Sequence, residues 1–240
     1  MFKVTALFSL EKPPLIWRSY AMVSLLTLLA FLAWDSTGWD MNLAHVWGDS
    51  TGFALRDNWW LSQVMHQGMR STGWLVFLAL LIGIWRPWGP LQTLATPERA
   101  GVFIAVVCAL LSVTLIKGWS QTSCPWDLQM FGGMAPYVSH WDLGQRDGGG
   151  GHCFPAGHAS TGFAFMAAYF GLRQSDSPRA LVWLGLALVV GFVLGFAQQV
   201  RGAHFMSHTF WTAWLCWTVG WISHVLFHLL RQKKNQAPAS

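Results

Sequence analysis

The chain has 240 residues, a formal net charge of +5, 53% hydrophobic and only 10% charged residues, and 17 tryptophans. So low a charge excludes an ordinary soluble domain, in which about a quarter of the residues are charged. The basic residues are scattered between apolar runs with no stripe of interleaved stacking aromatics, which argues against a nucleic-acid partner and for membrane lipids.

The apolar residues gather into long runs, not short alternating strands, so the expected fold is an all-α integral membrane protein, one domain over residues 1–240. Six spans are predicted, at Ile16–Trp34, Thr72–Trp85, Ala100–Lys117, His158–Leu172, Ala180–Gln199 and Thr209–Leu230. The second and fourth are short for a bilayer of about 30 Å, so they borrow flanking residues. The first reads as an anchor and not a cleavable leader, because Ala30 and Ala33 lie inside its apolar run.

Between the first two spans, Trp59, Trp60, Leu61, Val64, Met65 and Met69 recur at helical intervals, which predicts a helix lying on the membrane surface. The segment Gly118–Gly157 is rich in Gly and Pro, with four glycines at Gly148–Gly151, and reads as a loop folded over a site. Residues 231–240 read as a solvated cytoplasmic tail.

With both termini inside, Lys3, Lys12, Arg18, Arg86, Arg99, Arg173, Arg179, Arg231, Lys233 and Lys234 face the cytoplasm, ten of the fifteen basic residues. That leaves Arg56, Arg70, Lys117, Arg146 and Arg201 outside, where topology does not account for them.

Three pieces carry the chemistry: Lys117 with Cys124-Pro125, then Pro155-Ala156-Gly157-His158, then Arg201-Gly202-Ala203-His204 followed by His208. In a six-span topology all three face outward. Charged and titratable groups at membrane depth are costly and face a cavity or a partner. Lys117 and Arg201 offer cationic donors, and the small residues Ala156 and Gly157 at a helix entrance let backbone N–H groups approach an anion, which fits a phosphate. One neutral imidazole can attack phosphorus to form a phosphohistidine while another, protonated, gives its proton to the leaving oxygen.

These residues resemble the type 2 phosphatidic acid phosphatase superfamily, whose three motifs are Lys-x6-Arg-Pro, Pro-Ser-Gly-His and Ser-Arg-x5-His-x3-Asp. Lys117, Pro125, Pro155, Gly157, His158 and His204 match across roughly residues 100–215. The resemblance implies a six-helix, metal-independent enzyme with His204 as nucleophile, His158 as general acid and Lys117 as phosphate ligand. This sequence departs from the pattern at Cys124, Ala156, Ala197-Gln198 and His208, where the family has Arg, Ser, Ser-Arg and Asp. Arg201, one turn from Gln198, and Arg146 are candidates to replace the absent guanidinium, and His208 to orient His204.

Other groups have plainer readings beside the chemical ones. His204 and His208 share a helix face and can hold a metal, but no carboxylate or thiolate completes a shell, so no metal and no cofactor is expected. His224 and His228 read as interfacial or packing histidines, and Cys108 and Cys216 as buried thiols. Cys124 and Cys153 can form a disulfide in an oxidising compartment. Trp119, Trp126 and Trp141 line a lipid or sugar entrance or anchor at the interface, and Asp127 orients Lys117 or sits in an exposed turn.

The expected function is a lipid phosphate phosphatase of the bacterial inner membrane with its site facing the periplasm and an anionic lipid phosphate as substrate. The rival readings are a lipid phosphotransferase, and a noncatalytic protein that binds or transports anionic lipids.

Overall fold

The computed structural model describes residues 15–236. Lys3 and Lys12, expected in the cytoplasm, and the last four residues of the tail lie outside the described residues. Helix α1 spans Leu15–Asp35 and is followed by the short α2, Trp39–His45, and a small antiparallel hairpin of β1, Gly48–Asp49, and β2, Gly52–Phe53. Helices α3, Met69–Gly83, and α4, Thr96–Trp119, come next. A long loop leads to α5, Ser160–Phe163, a 3-10 turn at Ala164–Met166 and α6, Ala167–Leu172. Helices α7, Ser177–Val200, and α8, Met206–Gln236, complete the chain.

Local chemistry sets the helix starts. At α4, Pro97 fits the first turn, where its missing N–H would be unpaired anyway, and Glu98 accepts the Ala95 N–H at 2.7 Å. At α7, Asp176 accepts the Arg179 N–H at 3.2 Å and Pro178 follows.

Among the described residues, four helices are long and apolar enough to cross a membrane: α1, α4, α7 and Met206–Lys234 of α8. Apolar side chains such as Leu29, Val182, Leu186 and Val189 are more than half exposed on α1 and α7, as expected of surfaces facing hydrocarbon. The other two predicted spans are built differently. Residues 160–172 divide into α5, the 3-10 turn and α6.

The helix predicted to lie on the membrane surface is not a separate element. Residues Trp60–Gly68 form a π-helix that runs straight into α3, because Gly68 is itself helical (φ −62°, ψ −47°) and no residue there breaks the path. The stretch from Arg231, expected to be tail, begins as helix, since α8 continues to Gln236.

The membrane core surrounds α5 and α6. Phe163, Met166 and Phe170 are almost fully buried, with α4, α7 and α8 packed around them. Helices α5 and α7 meet through glycine: a Cβ on Gly162 would lie 2.3 Å from the Gly191 backbone nitrogen, which has no room to retreat. Gly162→Ala is therefore expected to cost about 1–3 kcal/mol by overpacking, read as a lower unfolding temperature of the detergent-solubilised protein.

At one end of the bundle Arg99 ties the turns together, donating to the Ile84 and Leu94 carbonyls, and Arg231 lies 3.5 Å from Glu98. At the other end a second, smaller core forms, with Ala44, Phe53, Leu128, Phe131, Ala135 and Phe205 joining the hairpin to the long loop. This cap covers the end of the bundle where Lys117, His158 and His204 are found.

Candidate active site

Two buried carboxylates shape the cap. Asp147 accepts the Ser123 N–H and hydroxyl, folding the glycine run back toward the end of α4. Asp35, at the end of α1, accepts bonds from Trp141 Nε1 (2.8 Å) and Trp211 Nε1 (2.9 Å) and pairs with His140 Nε2 at 3.4 Å. His140 stacks on Phe154 and meets the His208 ring edge-on at 5.6 Å, so the carboxylate on α1 fixes loop residues that touch the site. The sequence reading missed Asp35, Asp147, His140 and His152.

Lys117 lies in the last turn of α4, and its ammonium donates to the His152 carbonyl at 2.6 Å. His152 has φ 54°, a left-handed conformation that non-glycine residues adopt rarely and mostly where function requires it. Gly157 packs against the Lys117 stem, and a Cβ there would lie 3.4 Å from Lys117 Cδ. The Phe154–Pro155 peptide is cis.

His158 sits in the turn before α5, and its ring centroid is 6.5 Å from that of His204. His204 lies in the α7–α8 turn and is only 4% exposed. Its Nδ1 faces His208 Nδ1 at 3.4 Å and Cys153 Sγ at 3.4 Å, which directs Nε2 to the opposite side of the ring. Burial, with the nearby positive charge of Lys117, holds the His204 pKa well below the usual histidine value, so the ring is neutral at neutral pH.

Cys124 and Cys153 are joined in a disulfide. Bonded in this way, Cys153 Sγ has no proton, and its approach to the Ala203 carbonyl at 3.0 Å and to His204 is a packing contact. Among the described residues, Cys124, Cys153 and His204 gather three groups able to ligate a metal, but two of these sulfurs are bonded to each other and offer no thiolate. Replacing both cysteines, Cys124→Ser with Cys153→Ala, frees a loop of about thirty residues and is expected to cost about 2–4 kcal/mol. Limited proteolysis should then find new cleavage between Asp127 and His152.

The remaining sequence candidates are placed as follows. Ala156 is fully buried, and its N–H donates to the His208 carbonyl at 3.2 Å. That commitment corrects the expectation that the Ala156 amide faces an anion. Arg201 donates from Nε to the Arg56 carbonyl (2.8 Å) and from Nη1 to Gln198 Oε1 (3.2 Å), and its guanidinium, like that of Arg56, lies against Trp126. Arg146 is exposed. Asp127 accepts Trp126 Nε1 and organises its own turn. Trp119 is 81% exposed at the end of α4. His228 packs against Trp17 and Gln232, and Cys108 and Cys216 are free thiols.

A lysine ammonium thus lies beside three clustered imidazoles under a cap at one end of the helical bundle, a composition whose chemistry suits an anion. The family profile described as the PAP2 superfamily matches residues 99–232, more than half of the chain and all four of those side chains. The chain therefore belongs to the type 2 phosphatidic acid phosphatase superfamily, whose members are phosphoesterases. No curated protein and no solved structure matches it significantly.

Proposed function

We propose that the protein is a lipid phosphate phosphatase that works through a phosphohistidine on His204, without a metal, at the periplasmic face of a bacterial inner membrane. The observation that carries this reading is the engagement of His204 Nδ1 by His208, which leaves Nε2 as the lone pair available for attack. For that, His204 Nδ1–H donates and His208 Nδ1 accepts, so His208 orients the nucleophile where the family has an aspartate.

Lys117 neutralises the phosphate oxygens, helped by the amide end of Gly157. Arg201 has two donors committed to Arg56 and Gln198, so it contributes charge, not a bidentate grip. His158 protonates the leaving oxygen, and water then cleaves the P–N bond. Six membrane crossings, with α3 and residues 160–172 as the short ones, put both termini in the cytoplasm. The disulfide suits an oxidising compartment at the site end, and Arg86, Arg99, Arg173, Arg179 and Arg231 suit the cytoplasmic end.

The test is release of inorganic phosphate from lipid phosphates by the purified protein, followed against pH. A nucleophile must be deprotonated, and His204 titrates well below 6.5, so kcat/KM is expected to hold as pH falls through 6.5 and to drop only in more acidic solution. An acidic limb centred at or above 6.5 that persists in kcat, where ionisation of the free lipid phosphate no longer contributes, would remove His204 from that role. Lipid that binds and never releases phosphate, across mono- and diphosphate substrates, would favour a binding or transport protein.

A further inference from the structure

His208 is only 2% exposed, and four rings close around it: His204, Phe154, Phe205 and His140. Two of these are hydrocarbon, and His204 takes the Nδ1 side at 3.4 Å. The remaining polar ring is His140, edge-on at 5.6 Å, whose Nε2 pairs with Asp35 Oδ2 at 3.4 Å. Contacts therefore run without a gap from Asp35 on α1, through His140 in the covering loop and His208 on α8, to His204 in the α7–α8 turn.

A structural hook does not need the charge at the start of this series. Trp141 and Trp211 both donate to Asp35 Oδ2, which a neutral amide oxygen would accept as well, and Asp35 Oδ1 is buried with no hydrogen-bond partner among the described residues. A bare carboxylate oxygen in such a place is costly unless a cation compensates it.

In the reading given under Proposed function, on which this inference rests, such a cation forms in every cycle. When His204 Nε2 bonds phosphorus, the ring keeps its proton on Nδ1 and becomes a phosphoimidazolium. That proton lies between His204 Nδ1 and His208 Nδ1, so two buried rings share the positive charge. Lys117 is close by, and its own charge already disfavours a cation at His204. Asp40 also lies near the start of α8, but it accepts the Ser207 N–H and Trp34 Nε1 and makes no hydrogen bond to His208.

We propose that Asp35 and His140 are positioning residues for this reaction: the carboxylate on α1, acting through His140, is the counter-charge for the cation that the His204–His208 pair becomes. The charge arises as the N–P bond forms and the P–O bond to the leaving group breaks, with His158 giving that oxygen its proton. Water then adds to phosphorus and returns a proton to His158, the N–P electron pair goes back to Nε2, and the pair is neutral again.

The experiment titrates the full-length protein in phosphatidylcholine nanodiscs with orthovanadate and with orthophosphate. Vanadium accepts a fifth ligand, so vanadate bonded to His204 Nε2 puts the reaction's charge on the pair, whereas bound phosphate leaves the imidazole unbonded. Asp35→Asn keeps an oxygen for both indoles and is expected to weaken vanadate about tenfold and orthophosphate less than about twofold. His140→Phe keeps the stack on Phe154 and should cost vanadate the same, with the double variant no worse than either single one, since the two residues act as a unit. Asp40→Asn removes an equal charge nearby and should change neither ligand by as much as about twofold. Vanadate binding that survives Asp35→Asn, an equal loss for both ligands, or the same loss from Asp40→Asn overturns the proposal. So does a loss accompanied by new proteolytic cleavage between Asp127 and His152, because the carboxylate then only holds the loop. Binding is read without turnover, so wild-type protein that shows the expected pattern and releases no phosphate from lipids would overturn the phosphatase reading alone.

Discussion

Replacing His204 with alanine is expected to lower phosphate release by on the order of a thousandfold or more, and to abolish an acid-labile phosphoprotein trapped from labelled substrate. The size of the effect follows from the geometry. His208 presents Nδ1 toward His204 and lies 2% exposed in α8, with Phe154, His140 and Phe205 around its ring, so it cannot take over the attack without rebuilding the cap. The variant should still fold. His204 belongs to the α7–α8 turn, while the membrane core is made by Phe163, Met166 and Phe170 with their neighbours. Full turnover in a folded His204→Ala protein would assign the chemistry to another group.

The second large effect is expected at Lys117. Lys117→Met keeps much of the stem that packs on Gly157 but removes the charge, and is expected to reduce kcat by about 100- to 1,000-fold, as for loss of one donor to a developing anion. Lys117→Arg should recover little. A guanidinium is broader than an ammonium, and the stem already runs within 3.4 Å of where a Gly157 side chain would start. Steady-state rates with a soluble short-chain lipid phosphate separate the two substitutions. A Lys117→Met enzyme with normal kcat would show that the ammonium serves only to hold the His152 carbonyl.

Much of the frame was legible because hydropathy and end signals are local. The third span, read as Ala100–Lys117, is helix Thr96–Trp119, and the fifth, read as Ala180–Gln199, is Ser177–Val200. Lys117, His158 and His204 stood out because polar groups at helix ends within an apolar chain are conspicuous. The cap was not legible, since its organising contacts are distant in sequence: Asp35 meets His140, Trp141 and Trp211, more than a hundred positions away. The join between the helix at residues 60–68 and the one after it was illegible for a related reason. An amphipathic period marks residues 60–68 as helical but carries no information on whether the helix stops before the next one starts, and Gly68 lets it continue.

The hook that Asp35 makes for the covering loop lies in α1, well before residue 99, where the family match begins. Lys117, His158, Arg201, His204 and His208 all lie downstream of that point, yet the segment that shelters them is moored to a helix upstream. A shortened protein starting at the matched region would carry the reactive groups with their roof cut loose, so the smallest piece able to work as a catalyst has to include the first helix.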